Sequence, residues 1–361
     1  MKATQELHDL GQSLWLDNIT RDLLDNGTLK GYIDEFSVTG LTSNPTIFEH
    51  AISKSKSYDA EISRLVSNGL SGEELFFELA LQDLTRAADL FASVHERTAG
   101  NDGYVSLEVS PLLAYDADAT LTAAASLHRK GNRSNLFIKI PGTREGNLAI
   151  ETATAEGIAI NVTLLFSRDQ YLESADAYMR GLERRIDAGF SPDIRSVASV
   201  FVSRWDGATL EKVPEQLRDK LGIAIGKQIY KAYRDILDSD RWQRLANCGA
   251  RPQRLLFAST GTKDPKASDV LYISGLAAPN TVNTMPEKTL LAFGDHGQLA
   301  GALPRNGGDC ETVFEQFRKV GINLEQLAAD LQADGAKSFD ASWQNLLSAI
   351  ESKGKQLKLA S

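Results

Sequence analysis

A lysine stands inside an otherwise apolar run, Asn135-Leu-Phe-Ile-Lys139-Ile-Pro141. A buried ammonium is costly, so a lysine in such surroundings tends to give up its proton. The neutral amine that remains is the form that attacks a carbonyl. The same position would also suit a lysine paired with a carboxylate in the protein interior, and this run alone leaves both readings open. A carboxylate is at hand in Tyr104-Val-Ser-Leu-Glu-Val-Ser110. Side chains alternate along a strand, so Val105, Leu107 and Val109 share one face and Ser106, Glu108 and Ser110 share the other. The apolar face should meet helices, and Glu108 should point inward on the strand preceding Lys139.

Further polar residues interrupt apolar runs in the same way. Asp17 closes Leu14-Trp-Leu-Asp17, and Asn161 and Thr163 alternate with Val162 and Leu164. Ser199 lies within another run, and Ser259 near the end of the next. A single Ser or Thr often only satisfies local backbone. Taken together, an amine, two carboxylates and a hydroxyl on one inner surface compose a proton-transfer site. Two stretches look suited to an anion. Arg204 follows the run containing Ser199, and Ala258-Ser-Thr-Gly-Thr-Lys263 is rich in small and hydroxyl residues and ends in a cation. Solvated surface cations would give the same pattern.

The runs that must position these residues recur along the chain. They are Ser13–Asn18, Ser37–Ser43, Tyr104–Ser110, Asn135–Pro141, Ile158–Phe166, Val197–Ser203, Arg254–Thr260 and Val270–Leu276. Long amphipathic segments follow most of them. Strands alternating with helices imply parallel βα units, and eight such runs predict a closed (β/α)8 barrel. Chemistry in that fold gathers at the C-terminal ends of the strands, and late-strand loops often bind phosphate. Ser71 with Glu74 predicts a capping box, ahead of a stripe of Phe77, Leu81, Leu84 and Ala88. Ser167 with Gln170 predicts another, with Tyr171, Ala175, Tyr178, Leu182 and Ile186 on one helical face. A third face carries Leu221, Ile225, Ile229, Ala232 and Ile236. Additional helices are expected at the N-terminus and, from about 310, beyond the last strand. The whole chain, 1–361, is expected to form one barrel domain, since no Pro/Gly/Ser-rich linker divides it.

Bulk properties narrow the partners. The 361 residues are 42% hydrophobic and carry a net charge of −9 with no basic block. That argues against nucleic acid, which needs clustered Lys and Arg. It leaves room for small anionic substrates held by a few local cations. Cys248 and Cys310 stand alone, with no C-x-x-C and no Cys/His cluster, so no metal site is expected. Unpaired cysteines suit a reducing cytosol, and no run is long and apolar enough to suggest a membrane span. The start, MKATQELHDLGQ, lacks the apolar stretch of a signal peptide. Gly222-Ile-Ala-Ile-Gly226-Lys227 faintly suggests a phosphate loop, but it is one residue short, lacks the following Ser or Thr, and falls within a helical pattern. Whether the chain forms a homo-oligomer is left open.

Several of these stretches, in order, resemble the transaldolase family. Thr39-Gly-Leu-Thr-Ser-Asn-Pro-Thr-Ile-Phe48 resembles its second-strand signature, and Val105–Ser110 its third. Ile138-Lys-Ile-Pro-Gly-Thr143 resembles the strand of its Schiff-base lysine, and Ile160-Asn-Val-Thr-Leu-Leu-Phe-Ser167 its fifth. The similarity runs from about Leu7 into the C-terminal helices. It implies transfer of a dihydroxyacetone unit between sugar phosphates with no cofactor. It also implies roles: Lys139 as the covalent amine, Asp17 as the acid–base of carbon–carbon cleavage, and Glu108 with Thr163 as holders of a proton-shuttling water. Asn44 and Asn161 would bind the sugar hydroxyls, with Ser199 close by. Arg204, Ser259 and Lys263 would hold phosphate. Many members have an arginine after the seventh strand, where this chain has Gly261 and then Lys263. The related fructose 6-phosphate aldolases resemble a shorter chain, with glutamine in place of Glu108. A non-catalytic barrel is the reading from another class, and an intact lysine with two acids speaks against it.

Overall fold

The computed structural model describes residues 2–299 and 301–360. Its centre is a closed barrel of parallel strands in sequence order: β1 (Gln12–Asp17), β2 (Val38–Thr42), β3 (Val105–Glu108), β4 (Leu136–Pro141), β5 (Ile160–Leu165), β6 (Ser196–Phe201), β7 (Gln253–Ala258) and β8 (Thr281–Met285). Helix α1 (Ala3–Asp9) precedes the barrel, and α2 (Arg21–Asp25) and α3 (Thr28–Glu35) follow β1. After β2 come α4 (Pro45–Lys54), α5 (Asp59–Ser67) and α6 (Gly72–Arg97). The next crossovers are α7 (Ala117–Gly131), α8 (Arg144–Ala155) and α9 (Arg168–Asp187). After β6 come α10 (Ser203–Thr209), α11 (Leu221–Leu237) and α12 (Asp240–Asn247), and after β7 the short α13 (Leu271–Gly275). The chain ends with α14 (Glu287–His296), α15 (Cys310–Lys319) and α16 (Leu324–Ala360). The (β/α)8 barrel with extra helices at both ends is therefore observed.

One strand was expected in the wrong place. Val270–Leu276 is not the eighth strand but the site of α13. Its buried residues Val270, Tyr272, Ile273 and Leu276 fall on one helical face rather than alternating. The true β8, Thr-Val-Asn-Thr-Met, hides from an apolar reading because Thr281, Asn283 and Thr284 are buried polar residues. Thr281 can be polar there because its hydroxyl donates to Ala278 O and accepts from Gln12 Nε2.

The helix signals divide. Ser167 and Gln170 form the full capping box at α9. Ser71 makes no such bond at α6, where Gly72 enters the helix at φ 53°. The stripe expected on α6 buries Leu81, Leu84 and Ala88, with Phe77 packed at its edge. The Gly222–Lys227 stretch lies inside α11 and forms no phosphate loop.

Inside the barrel, side chains stack in layers. The N-terminal end is plugged by a polar knot. Ser13 Oγ and Trp15 Nε1 both donate to the Asp102 carboxylate, and Arg254 donates to Ser13 Oγ and to Thr281 O. Gly40 makes room for the Trp15 indole, since a Cβ there would stand 2.5 Å from Nε1. The middle layer holds Phe137 and a chain of hydrogen bonds from Ser199 to Asn161 to Ser106. The polar residues picked out from the sequence sit mostly above it, at the C-terminal end.

Candidate active site

Strand register brings the first pair together. Glu108 on β3 lies opposite Lys139 on β4, and both side chains point into the barrel. Lys139 Nζ donates to Glu108 Oε2 at 3.0 Å and to Ser43 O at 3.2 Å. Both side chains are almost fully buried, at 5% and 4% exposure. Asp17 pairs in register with Thr42 on β2, whose hydroxyl donates to Asp17 Oδ1 at 2.7 Å. Thr42 is also 2.6 Å from the Thr284 hydroxyl on β8, which joins β1, β2 and β8 into one polar seam.

Two carboxylates thus flank a single amine. Burial raises the Asp17 carboxyl above its ordinary range, while the Lys139 charge, the Thr42 hydrogen bond and Lys263 pull it back. Burial likewise raises Glu108, opposed by Lys139 and reinforced by the negative charge of Asp17. The two acids share one lysine, so their titrations are coupled. Two atoms of the site are free to take part in hydrogen bonds to a ligand. Among the described residues, Glu108 Oε1 and the Thr163 hydroxyl are buried without a hydrogen-bond partner. Such atoms are costly unless a ligand or water uses them.

The amine forms the floor of a cavity of about 190 Å³. Of the residues singled out from the sequence, Asp17, Asn44, Thr163, Ser199, Arg204 and Ser259 line it. Asn44 caps α4, its Oδ1 accepting from Ile47 N, so its amide nitrogen remains available to a hydroxyl. Glu108 lies behind the amine and not on the lining. Asn161 lies a layer lower, its amide taken up by Ser106 and Ser199 at 3.0 and 2.7 Å. Lys263 is also absent from the lining.

The cations nevertheless gather at one side of the mouth. Arg204, on α10, rests over the rings of Phe201 and Phe339 at 5.2 and 5.9 Å. Burial lowers its guanidinium, and Asp334 counters that. Lys263 is exposed, yet the surrounding protein and the Arg204 charge lower its ammonium, with Asp17 pulling the other way. Its stem lies against Gly207 on α10. Two like charges held together without a carboxylate bridging them form a seat for an anion. Ser259 faces this seat at φ 55°, its hydroxyl 2.9 Å from that of Ser203.

Sequence reasoning missed Thr42, Thr46, Ile47, Phe201, Thr284 and Phe339, all on the lining. Thr42 could have been found, because the alternation that puts Gly40 inside puts Thr42 inside too. Phe339 carried no local signal. It arrives from α16, which crosses the mouth of the barrel. Gln332 donates to Gly142 O and Leu164 O at the exits of β4 and β5. At the other end Lys353 donates to Ser55 O and Asp59 Oδ1. Phe339, between these anchors, stands over Lys139 Nζ at 5.7 Å.

Fold and site together define a class: barrel proteins that present a buried lysine amine to a carbonyl compound bearing an anionic group. Comparison with known proteins agrees. The description of the Transaldolase/Fructose-6-phosphate aldolase family matches residues 14–350. A Saccharopolyspora erythraea protein named Transaldolase is 42% identical over 361 residues, covering 98% of each chain. One of that name from Thiobacillus denitrificans is 44% identical, covering 97% of this chain and 100% of its own. Another, from Mycolicibacterium smegmatis, is 43% identical over 94% of both. The chain belongs to the transaldolase/fructose-6-phosphate aldolase family. Among the described residues no group of three or more His, Cys, Asp or Glu is placed to hold a metal ion. No helix among them is long and apolar enough to cross a membrane.

Proposed function

We propose that the chain is a transaldolase: it moves a three-carbon dihydroxyacetone unit from sedoheptulose 7-phosphate or fructose 6-phosphate to glyceraldehyde 3-phosphate or erythrose 4-phosphate. This is a reaction of the pentose phosphate pathway. Lys139 attacks the ketose carbonyl and loses water to become an iminium. The iminium accepts the electron pair when the C3–C4 bond breaks, so no added cofactor is required. Asp17 takes the proton from the C4 hydroxyl and returns it to the acceptor aldehyde. Glu108 and Thr163, with their unpartnered oxygens, hold the water that moves protons while the carbinolamine dehydrates. Asn44 binds hydroxyls of the three-carbon unit. Asn161 acts from below by orienting Ser199. Arg204, with Lys263 and Ser259, binds the phosphate and so aligns the carbonyl with the amine. The substrates are cytosolic metabolites in character, and two free cysteines fit that compartment.

The observation that carries this reading is the Lys139–Glu108 pair at 3.0 Å on the floor of a cavity whose rim holds Arg204. Borohydride reduction with fructose 6-phosphate should leave a three-carbon adduct on the peptide containing Lys139. An adduct on another lysine would refute the assignment. Lys139→Arg should fold and lose turnover, because a guanidinium stays protonated. Free dihydroxyacetone released at full rate without an acceptor aldehyde would point to the aldolase branch of the family instead.

A further inference from the structure

Asp206 is a buried carboxylate that lies outside the cavity and serves no step above. It sits on α10, two residues beyond Arg204. Its Oδ1 accepts from the Leu221 amide at 2.9 Å. Its Oδ2 accepts from the Gly222 amide at 3.0 Å and from the Tyr272 hydroxyl at 2.7 Å. The two amides are unsatisfied donors of the first turn of α11. The residue at the cap position, Lys220, offers them no side-chain bond. A carboxylate from another helix does the capping instead, where the N-terminal dipole also favours negative charge.

The third bond reaches α13, which closes the segment between β7 and β8 that carries Lys263. One side chain therefore ties α10, α11 and α13 together. The approach is close enough to demand glycine at Gly222, where a Cβ would stand 2.6 Å from Val202 O and 2.7 Å from Asp206 Oδ2. This accounts for the first glycine of the Gly222–Lys227 stretch.

Helix α10 has only seven residues, too few to hold its place by its own hydrogen bonds. Arg204 rests on two ring faces and against Gly335, and makes no ion pair among the described residues. The position of its guanidinium therefore depends on what anchors α10. Lys263 leans on the same helix, its Cγ 3.5 Å from where a Cβ of Gly207 would stand.

We propose that Asp206 is a positioning residue for the phosphate end of the site: by clamping α10 to α11 and α13, it fixes Arg204 and Lys263 against one anion. The proposal rests on reading Arg204 as a phosphate ligand. Burial raises the Asp206 carboxyl to about 6, opposed by its three donors and reinforced by the Asp219 carboxylate from the loop before α11. Tyr272 and Asp219 are the titratable groups facing it.

The test measures Asp206→Asn, Tyr272→Phe and Arg204→Ala with fructose 6-phosphate and with unphosphorylated fructose as donor. Asp206→Asn should raise KM for the phosphorylated donor roughly tenfold and leave kcat/KM for fructose within about twofold. Tyr272→Phe should act in the same direction, by about threefold, having lost one of the three bonds. Equal losses on both donors would reduce Asp206 to a part of the fold and overturn the proposal. If Asp206→Asn fails to fold, Tyr272→Phe decides, since it keeps the carboxylate and both amide bonds. Arg204→Ala separates the two levels. If it leaves the preference for phosphorylated donor intact, the phosphate reading fails and the clamp with it. If it abolishes the preference while both clamp variants retain it, the clamp alone fails.

Discussion

Asp17 and Glu108 show how the site is set residue by residue. Each is a carboxyl raised by burial beside one shared lysine. For Asp17 the sign has a consequence for stability. A folded-state pKa above the unfolded one means that the native protein holds the extra proton, so stability falls as pH rises from the ordinary carboxylate range through the raised value. Above that value the ionised Asp17 costs the fold free energy. Asp17→Asn should therefore abolish transfer yet raise the melting temperature at pH 7, by on the order of 2 °C. Near pH 4 the gain should vanish, because the wild-type carboxyl is then protonated as well. Scanning calorimetry of the two proteins at both values checks this, and a variant that melts lower at pH 7 would contradict it. Glu108 does not invite the same substitution, because its removal would leave Lys139 buried and unpaired.

At the scale of elements, α16 does what no barrel strand can. It is pinned at both sides of the mouth and lowers Phe339 between Lys139 and Arg204. The helix seats itself through Ala336, Phe339, Trp343, Leu346 and Ile350, buried at alternating steps of three and four. Trp343 packs edge-on to Phe76 of α6 at 5.0 Å. Gly335 admits Arg204, since a Cβ there would stand 3.2 Å from Nη1. Phe339→Leu keeps apolar volume and removes the ring face. Its fold should persist, with a loss of less than about 1.5 kcal/mol. Its KM for a phosphorylated donor should rise about threefold, the value of a partly exposed cation–π contact. An unchanged KM would show that the ring only fills space.

For the molecule as a whole, the two ends of the barrel divide stability from chemistry. The Ser13–Trp15–Asp102–Arg254 knot closes the end away from the cavity. Gly40→Ala would drive a methyl group into the Trp15 indole, which is almost fully buried. The expected cost is about 1–3 kcal/mol from overpacking. The melting temperature should fall, while the yield of borohydride-trapped Lys139 measured well below it stays as in the wild type. A trapping yield that falls with stability would mean that the two ends are coupled.

Whatever depends on local pattern can be read along the chain. Lys139, Glu108, Asp17 and Thr163 were legible because each is a polar interruption of a β-rich run, and the alternation of side chains settles which way they face. The same rule located seven strands and the barrel they close. It failed at β8, where a buried polar strand looks like a loop and the apolar α13 beside it looks like a strand. The tertiary structure decided whatever depends on distance in the chain. Phe339 reaches Lys139 from 200 positions away, the difference of their numbers, and nothing in its surroundings on α16 announces an active site. The sinking of Asn161 below the cavity follows from hydrogen bonds to β3 and β6 that no run of residues displays. The convergence of Arg204 with Lys263 depends on where α10 is anchored, which is settled by one carboxylate meeting the start of another helix. Periodicity fixes the direction of a side chain, and only packing fixes its neighbours.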